Sequence, residues 1–100
     1  MKLLIAAFVT LGMLSGEKPV ASFVLKNETL RSIPLVIPGV MNPNLSPMSY
    51  SGVTLEEGQE IFFLDKKKRY LLLEVSTDLN GDTLFVQELI DKRRAELGLN

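Results

Sequence analysis

Beyond residue 17 the chain sets apolar and polar positions in short alternating runs, and the period of each run names an element. Residues 20–26, Val-Ala-Ser-Phe-Val-Leu-Lys, place Ala21, Phe23 and Leu25 on one side and Val20, Ser22, Val24 and Lys26 on the other. A period of two in branched and aromatic residues predicts a first strand. Asn27-Glu28-Thr29 punctuates it, and Arg31, Ile33, Leu35 and Ile37 then share one face of a second run. Pro34 has no N–H to give a ladder, which predicts an edge strand or a bulge there. Ser51 to Leu55 opens a third strand, Glu56-Glu57-Gly58-Gln59 turns the chain, and Ile61 to Leu64 forms a fourth, so that the third and fourth read as a hairpin. Asp65 to Lys68 separates Ile61–Leu64 from Tyr70–Val75, a second hairpin with a charged tip. Both faces of this second hairpin are apolar, so its strands are expected at the centre, one face against another sheet and the other under a helix.

That helix is predicted over 86–97. Val86, Leu89, Ile90 and Leu97 fall on one stripe at helical spacing, with Gln87, Asp91, Arg94 and Ala95 opposite. Gly98 stands where a left-handed residue closes a helix, and Glu88 and Lys92 are four apart in the favourable order. Arg93 lies inside the apolar stripe; its stem is expected to cover the core while its guanidinium reaches a carboxylate or solvent. The fold expected is mainly β: a small antiparallel β-sandwich, immunoglobulin-like, or a partly open barrel, with one C-terminal α-helix packed on it. The run from Ser51 to Phe63 resembles the strand, turn and strand of many immunoglobulin-like sandwiches, and that resemblance bears on fold alone.

The N-terminal run differs in kind. Met1-Lys2, an apolar stretch from Leu3 to Leu14 and small residues at Ser15 and Gly16 have the three parts of a secretory signal peptide. The stretch is too short to span a bilayer, which takes about twenty apolar residues. Residues 1–16 are therefore expected to be a leader, cleaved after Gly16 or after Gly12, and residues 17–100 a single domain with no stable membrane span once the leader is gone. The expected location is periplasmic or secreted, in a bacterial cell envelope. The leader takes one of the eleven basic side chains with it, leaving ten against twelve acidic ones, a net charge of −2. Near-balanced charge argues against a nucleic-acid partner. With no cysteine in the chain no disulfide can staple the domain, so apolar packing has to hold it.

Candidate chemistry is thin. The chain has no histidine, so a serine or threonine nucleophile lacks its usual base, and the lysines at 66, 67 and 68 sit on a solvated tip where they keep their charge. Glu56, Glu57 and Glu60 cluster on a turn with no apolar pocket to separate their roles. No catalytic residue, cofactor or metal site is expected. Asp78, Asn80 and Asp82 mimic the first half of a calcium loop, but Thr83 stands where glycine makes the sharp turn and Leu89 where a bidentate glutamate belongs. A tight turn with Asn80-Gly81 in left-handed conformation is the favoured reading, with weak calcium binding left open. Lys66 to Arg69 forms a basic cluster that either holds an anionic glycan or lipid head group or simply keeps the turn in water. Asn27-Glu28-Thr29 fits the N-linked glycan acceptor pattern, as does Asn44-Leu45-Ser46, and Asp82-Thr83-Leu84 resembles an acceptor for O-linked glycans.

The connection from Pro38 to Gly52 is the expected site. It reads as fifteen residues without regular structure, and such loops in small domains carry function or lack order. Prolines 38, 43 and 47 restrict its backbone and lower the entropy lost on being gripped. Met41, Met48 and Tyr50 offer apolar and aromatic contact, Asn42 and Asn44 adaptable hydrogen bonds. An equally weighted alternative folds Met41, Leu45 and Met48 inward to plug one end of the sandwich. The function expected is a non-enzymatic binding module that engages a protein or cell-envelope component through residues 38–52. The competing expectation is a glycan-binding domain or an inhibitor of an extracellular hydrolase, against which the absence of tryptophan weighs.

Overall fold

The computed structural model describes residues 18–99, so the leader expected over residues 1–16 lies outside the described residues. The elements are β1 (Val20–Asn27), β2 (Ile33–Val36), β3 (Asn44–Leu45), β4 (Ser49–Glu56), β5 (Glu60–Asp65), β6 (Lys68–Glu74), a 3₁₀ turn (Thr77–Leu79), β7 (Thr83–Phe85) and helix α1 (Val86–Leu97). They form two sheets, one ordered β4-β1-β7 and the other β3-β2-β5-β6, facing each other as an open sandwich. The inward positions are those the alternation names. Ala21, Phe23 and Leu25 of β1 meet Val53 and Leu55 of β4 and Ile33, Leu35, Ile61 and Phe63 of the other sheet in one buried core.

Several elements depart from the sequence reading. The turn at Glu56–Gln59 does not make a hairpin: β4 pairs with β1 and β5 with β2 and β6, so this turn carries the chain from one sheet to the other. Main-chain bonds from Gly58 N–H to Val75 C=O and from Val75 N–H to Gln59 C=O extend the β5–β6 ladder into the crossover, and that ladder fixes its direction. The second hairpin forms as expected, but β6 is an edge strand and the inner strands are β1, β2 and β5. Pro34, expected at an edge or bulge, sits in an inner strand. It pairs with Asn44 on the β3 side, and because Leu35 N–H goes to Pro43, the missing N–H of Pro34 faces β5, where the pairing starts only at Leu35; Pro34 thus stands at a local edge of that ladder. β7 is a strand the sequence reading lacks, and it runs parallel to β1, the one parallel pair in an otherwise antiparallel fold.

Helix α1 follows β7 without a loop, and that attachment decides where it goes. β7 belongs to the first sheet, and the helix that continues it does not cover the outer face of the β5–β6 hairpin, where it was expected, although Arg93 and Arg94 reach the hairpin strands. It lies instead over the end of the sandwich where β1 finishes and β2 begins, Gln87 beside Thr29 and Arg31, Ile90 beside Ile33 and Phe63. Val86 and Ile90 complete the core there, and Leu97, expected on the buried stripe, stays partly exposed. Arg93 Nε donates to the Leu71 carbonyl of β6 at 2.8 Å and its Nη1 meets Glu96 at 3.2 Å. Arg94, expected on the solvent side, is half-buried and pairs with Asp65. The helix closes with Gly98 at φ 73°, with Gly98 N–H on Ala95 and Leu99 N–H on Arg94, which satisfies two terminal carbonyls. Phe62 and Leu64 are left partly open on the outer face of β5, Arg69 lying 5.9 Å from the Phe62 ring.

Candidate functional site

The segment 38–52 is more ordered than expected. Ile37 and Met41 bridge around a Pro38-Gly39-Val40 tip, Leu35 N–H bonds to Pro43 C=O at 2.8 Å, and β3 continues the pairing down to Ile33. It is therefore the return limb of an irregular hairpin on β2. Leu45 turns into the core, whereas Met41 and Met48 stay exposed, so one of the three proposed plugs is a plug.

Asn27 then fixes the exit into β4. It is fully buried, 0% exposed, at the end of β1. Its Nδ2 donates to the carbonyls of Arg31, Leu45 and Ser46 at 2.7, 3.1 and 3.0 Å, while its Oδ1 accepts from the N–H and the hydroxyl of Thr29, both at 2.8 Å. The Asn-Glu-Thr triplet is thus a structural clamp, and its amide is inaccessible for modification in the fold. The clamp holds the Ser46–Ser49 turn, in which Met48 adopts φ 53° and Ser49 Oγ donates to Ser46 C=O at 2.6 Å.

The five expected site residues do not converge. Met41 and Asn42 sit by the hairpin tip, Asn44 on β3 at the opposite end of β2, Met48 in the turn, and Tyr50 on the outer face of β4. Tyr50 finds different neighbours. Lys26 pairs with Tyr50 on one side and with Phe85 on the other, so the three side chains form a row across the outer face of the first sheet. Two strand spacings, about 10 Å, separate the two aromatic positions. Tyr50 is 72% exposed and Phe85 38%. Lys26 Nζ lies 6.0 Å from the Phe85 ring centroid and 3.7 Å from Glu28. In the next row Val24 lies between Gly52 and Thr83, and beyond it the hydroxyls of Ser22 and Thr54 bond at 2.8 Å. Because Gly52 carries no side chain, a shallow depression opens over Val24, bordered by Ser22 and Thr54.

Lys26 and Phe85 are absent from the sequence-derived site. Lys26 reads there as the polar face of a strand, and Phe85 falls between a turn and a helix. The signal was the triplet Thr83-Leu84-Phe85, β-branched and aromatic, but its parallel pairing with β1 is a long-range event. Thr83, the possible O-glycan acceptor, is exposed on this same face.

Two other places compete. The cleft between α1 and the start of β2, about 390 Å³, has Ile33, Phe63 and Ile90 at its floor and Arg31, Asp91 and Arg94 around it. Its polar groups are mostly engaged within the fold: Arg94 with Asp65, and Asp91 with Gln87 at 2.8 Å. At the calcium-like loop, Asn80 Oδ1 accepts the Ser22 N–H at 2.8 Å, which ties the 3₁₀ turn to β1. The turn is as expected in kind but not in detail, since Gly81 alone is left-handed at φ 85°, Asn80 having φ −57° and ψ 126°. With Asp82 N–H on Leu79 C=O at 2.9 Å these are type II turn dihedrals. Among the described residues no group of three or more carboxylates is placed to hold a metal ion, and no helix is long and apolar enough to cross a membrane.

Comparison of the chain with protein-family models, curated proteins and solved structures gives no significant match.

Proposed function

We propose that this chain is an exported, non-enzymatic binding module whose partner, a protein or cell-envelope component, docks on the outer face of the first sheet around Tyr50, Lys26 and Phe85. The observation that carries the reading is the row itself: an aromatic ring 72% exposed, a lysine and a second aromatic, side by side on a rigid three-stranded surface. Large amphipathic rings on a preorganised scaffold contribute contact area at low entropic cost, and such residues dominate binding energy at interfaces. The shallow relief suits a macromolecule better than an enclosed metabolite. Absence of imidazole and thiol groups from the whole chain supports binding over catalysis.

The test is affinity capture from the native envelope, with mass spectrometry, comparing Tyr50→Ala and Phe85→Ala with Met41→Ala and Asn42→Ala. Loss of an interface hot spot costs about 2 kcal/mol or more, roughly thirty-fold in affinity. The face variants should lose the partner and the hairpin-tip variants keep it; the reverse pattern would return the site to residues 38–42. One observation favours a second reading, a glycan ligand: two exposed aromatics about 10 Å apart on one flat face give sugar rings two stacking platforms. A glycan array separates the two, because retention of a saccharide that depends on both rings would establish the second.

A further inference from the structure

We propose that β4 is a self-pairing edge, through which two copies of this chain join their first sheets across a two-fold axis at Gly52. β4 has one neighbour, β1. The hydrogen bond from Glu57 N–H to Pro19 C=O fixes the phase of their antiparallel ladder. Residues 51, 53 and 55 therefore turn their main-chain groups toward β1, and Tyr50, Gly52, Thr54 and Glu56 turn theirs away. Glu56 is closed off by Gln59, which accepts its N–H at 2.9 Å through Oε1 and donates its own N–H to the Glu56 carbonyl at 3.1 Å. The N–H and C=O groups of Tyr50, Gly52 and Thr54 have no partner among the described residues.

The remaining edges are guarded. β3 and β7 are two and three residues long, and β7 runs straight into the helix. β6 starts with Lys68 and Arg69, and Arg93 covers its Leu71 carbonyl. From Tyr50 to Leu55, by contrast, β4 carries no charge, no proline and no bulge, the condition in which an open edge recruits another strand.

The occupant that fits is a second copy, because the edge is its own complement. With Gly52 opposite the partner's Gly52, Tyr50 falls opposite the partner's Thr54 and Thr54 opposite the partner's Tyr50. Each open N–H then meets an open C=O, and no like charges are brought together. Each Tyr50 ring lies diagonally over the partner's Gly52, where the missing side chain leaves room and where a ring shields the main chain. The exposed Met48 comes opposite the partner's Glu56. A single strand pair buries little area, so the dimer should be weak and concentration-dependent.

Sedimentation equilibrium of the purified protein from about 10 µM to 1 mM tests this, together with amide hydrogen exchange at Tyr50, Gly52 and Thr54. The expected result is a reversible monomer–dimer equilibrium, with those three amides slowing as concentration rises. Thr54→Pro removes an N–H that the β1 ladder does not use, and Gly52→Lys sets two cations at the axis; a β-carbon added at Gly52 meets only open space. Each variant should weaken dimerisation at least ten-fold. If Thr54→Pro unfolds, Gly52→Lys decides. Lys26→Ala with Phe85→Ala, which alters the proposed ligand face, should dimerise as the parent does. A monomer throughout the range, or undiminished dimerisation of Gly52→Lys, would overturn the proposal, as would a strand from another protein occupying the edge while the chain itself stays monomeric.

Discussion

Asn27 shows how one buried polar side chain can position a surface without touching it. Its amide satisfies the carbonyl of Arg31, just before β2, and those of Leu45 and Ser46, where β3 leads into the turn before β4. Replacing it with alanine leaves the buried Leu45 carbonyl without its donor and strips one partner from the Ser46 carbonyl and the Thr29 N–H, while the Arg31 carbonyl keeps the Thr29 hydroxyl at 3.0 Å, at a cost of about 2–3 kcal/mol. Asn27→Asp should be at least as damaging at neutral pH, since a carboxylate can only accept and would face three carbonyl oxygens. Urea unfolding of both variants checks this; an alanine variant within 1 kcal/mol of the parent would mean that water replaces the clamp. At this scale the sequence was partly legible. The alternation marks Ala21, Phe23 and Leu25 as core because each stands between polar or half-buried neighbours. Asn27 reads as punctuation or a glycan acceptor because the carbonyls it serves are 4 to 19 residues away.

Elements were legible where a period or a cap is local, and illegible where the partner is remote. The helix over 86–97 forms as its stripe predicts, yet its seat depends on β7, a three-residue strand paired in parallel and too short to show a period. The turn Glu56–Gln59 announces a reversal, but the same residues serve a hairpin or a passage between sheets, and only the β5–β6 ladder decides. Tyr50 was recognisable as an exposed aromatic; Lys26 and Phe85 join it only through register across β1. The β5–β6 hairpin holds an element-scale prediction. Lys66 and Lys67 occupy the two central positions of its tip with φ 52° and 69°, both left-handed, where side chains other than those of glycine, asparagine and aspartate are strained. Lys66→Asn with Lys67→Gly should raise stability by about 1–2 kcal/mol, read as a higher urea midpoint at unchanged slope. An unaltered midpoint would place the relief of strain at odds with the loss of chain entropy that glycine brings.

The chain crosses repeatedly between sheets, so no half of the molecule has a core of its own: Phe63 and Leu35 of one sheet share a cluster with Leu25 and Leu55 of the other, and the helix seals the end of both with Val86 and Ile90. A domain of this length without disulfides has a stability of roughly 4–12 kcal/mol. Ile90→Ala should cost about 2–4 kcal/mol through lost burial and a residual cavity, and adding Val86→Ala should bring the loss past the lower end of that stability range. The consequence expected is global. Tyr70, whose ring centroid lies 5.8 Å from that of Phe63, reports on the second sheet. In Ile90→Ala its fluorescence should fall at the same urea concentration as the far-UV signal of all strands, both midpoints shifted down together. If the helix variant instead lost helical signal first while Tyr70 stayed in place, the sandwich would be a self-sufficient unit and the helix a removable lid. The face around Tyr50, Lys26 and Phe85 would then outlast the helix as well, because Phe85 would keep its pairing with Lys26 after Val86 and Ile90 had left the core.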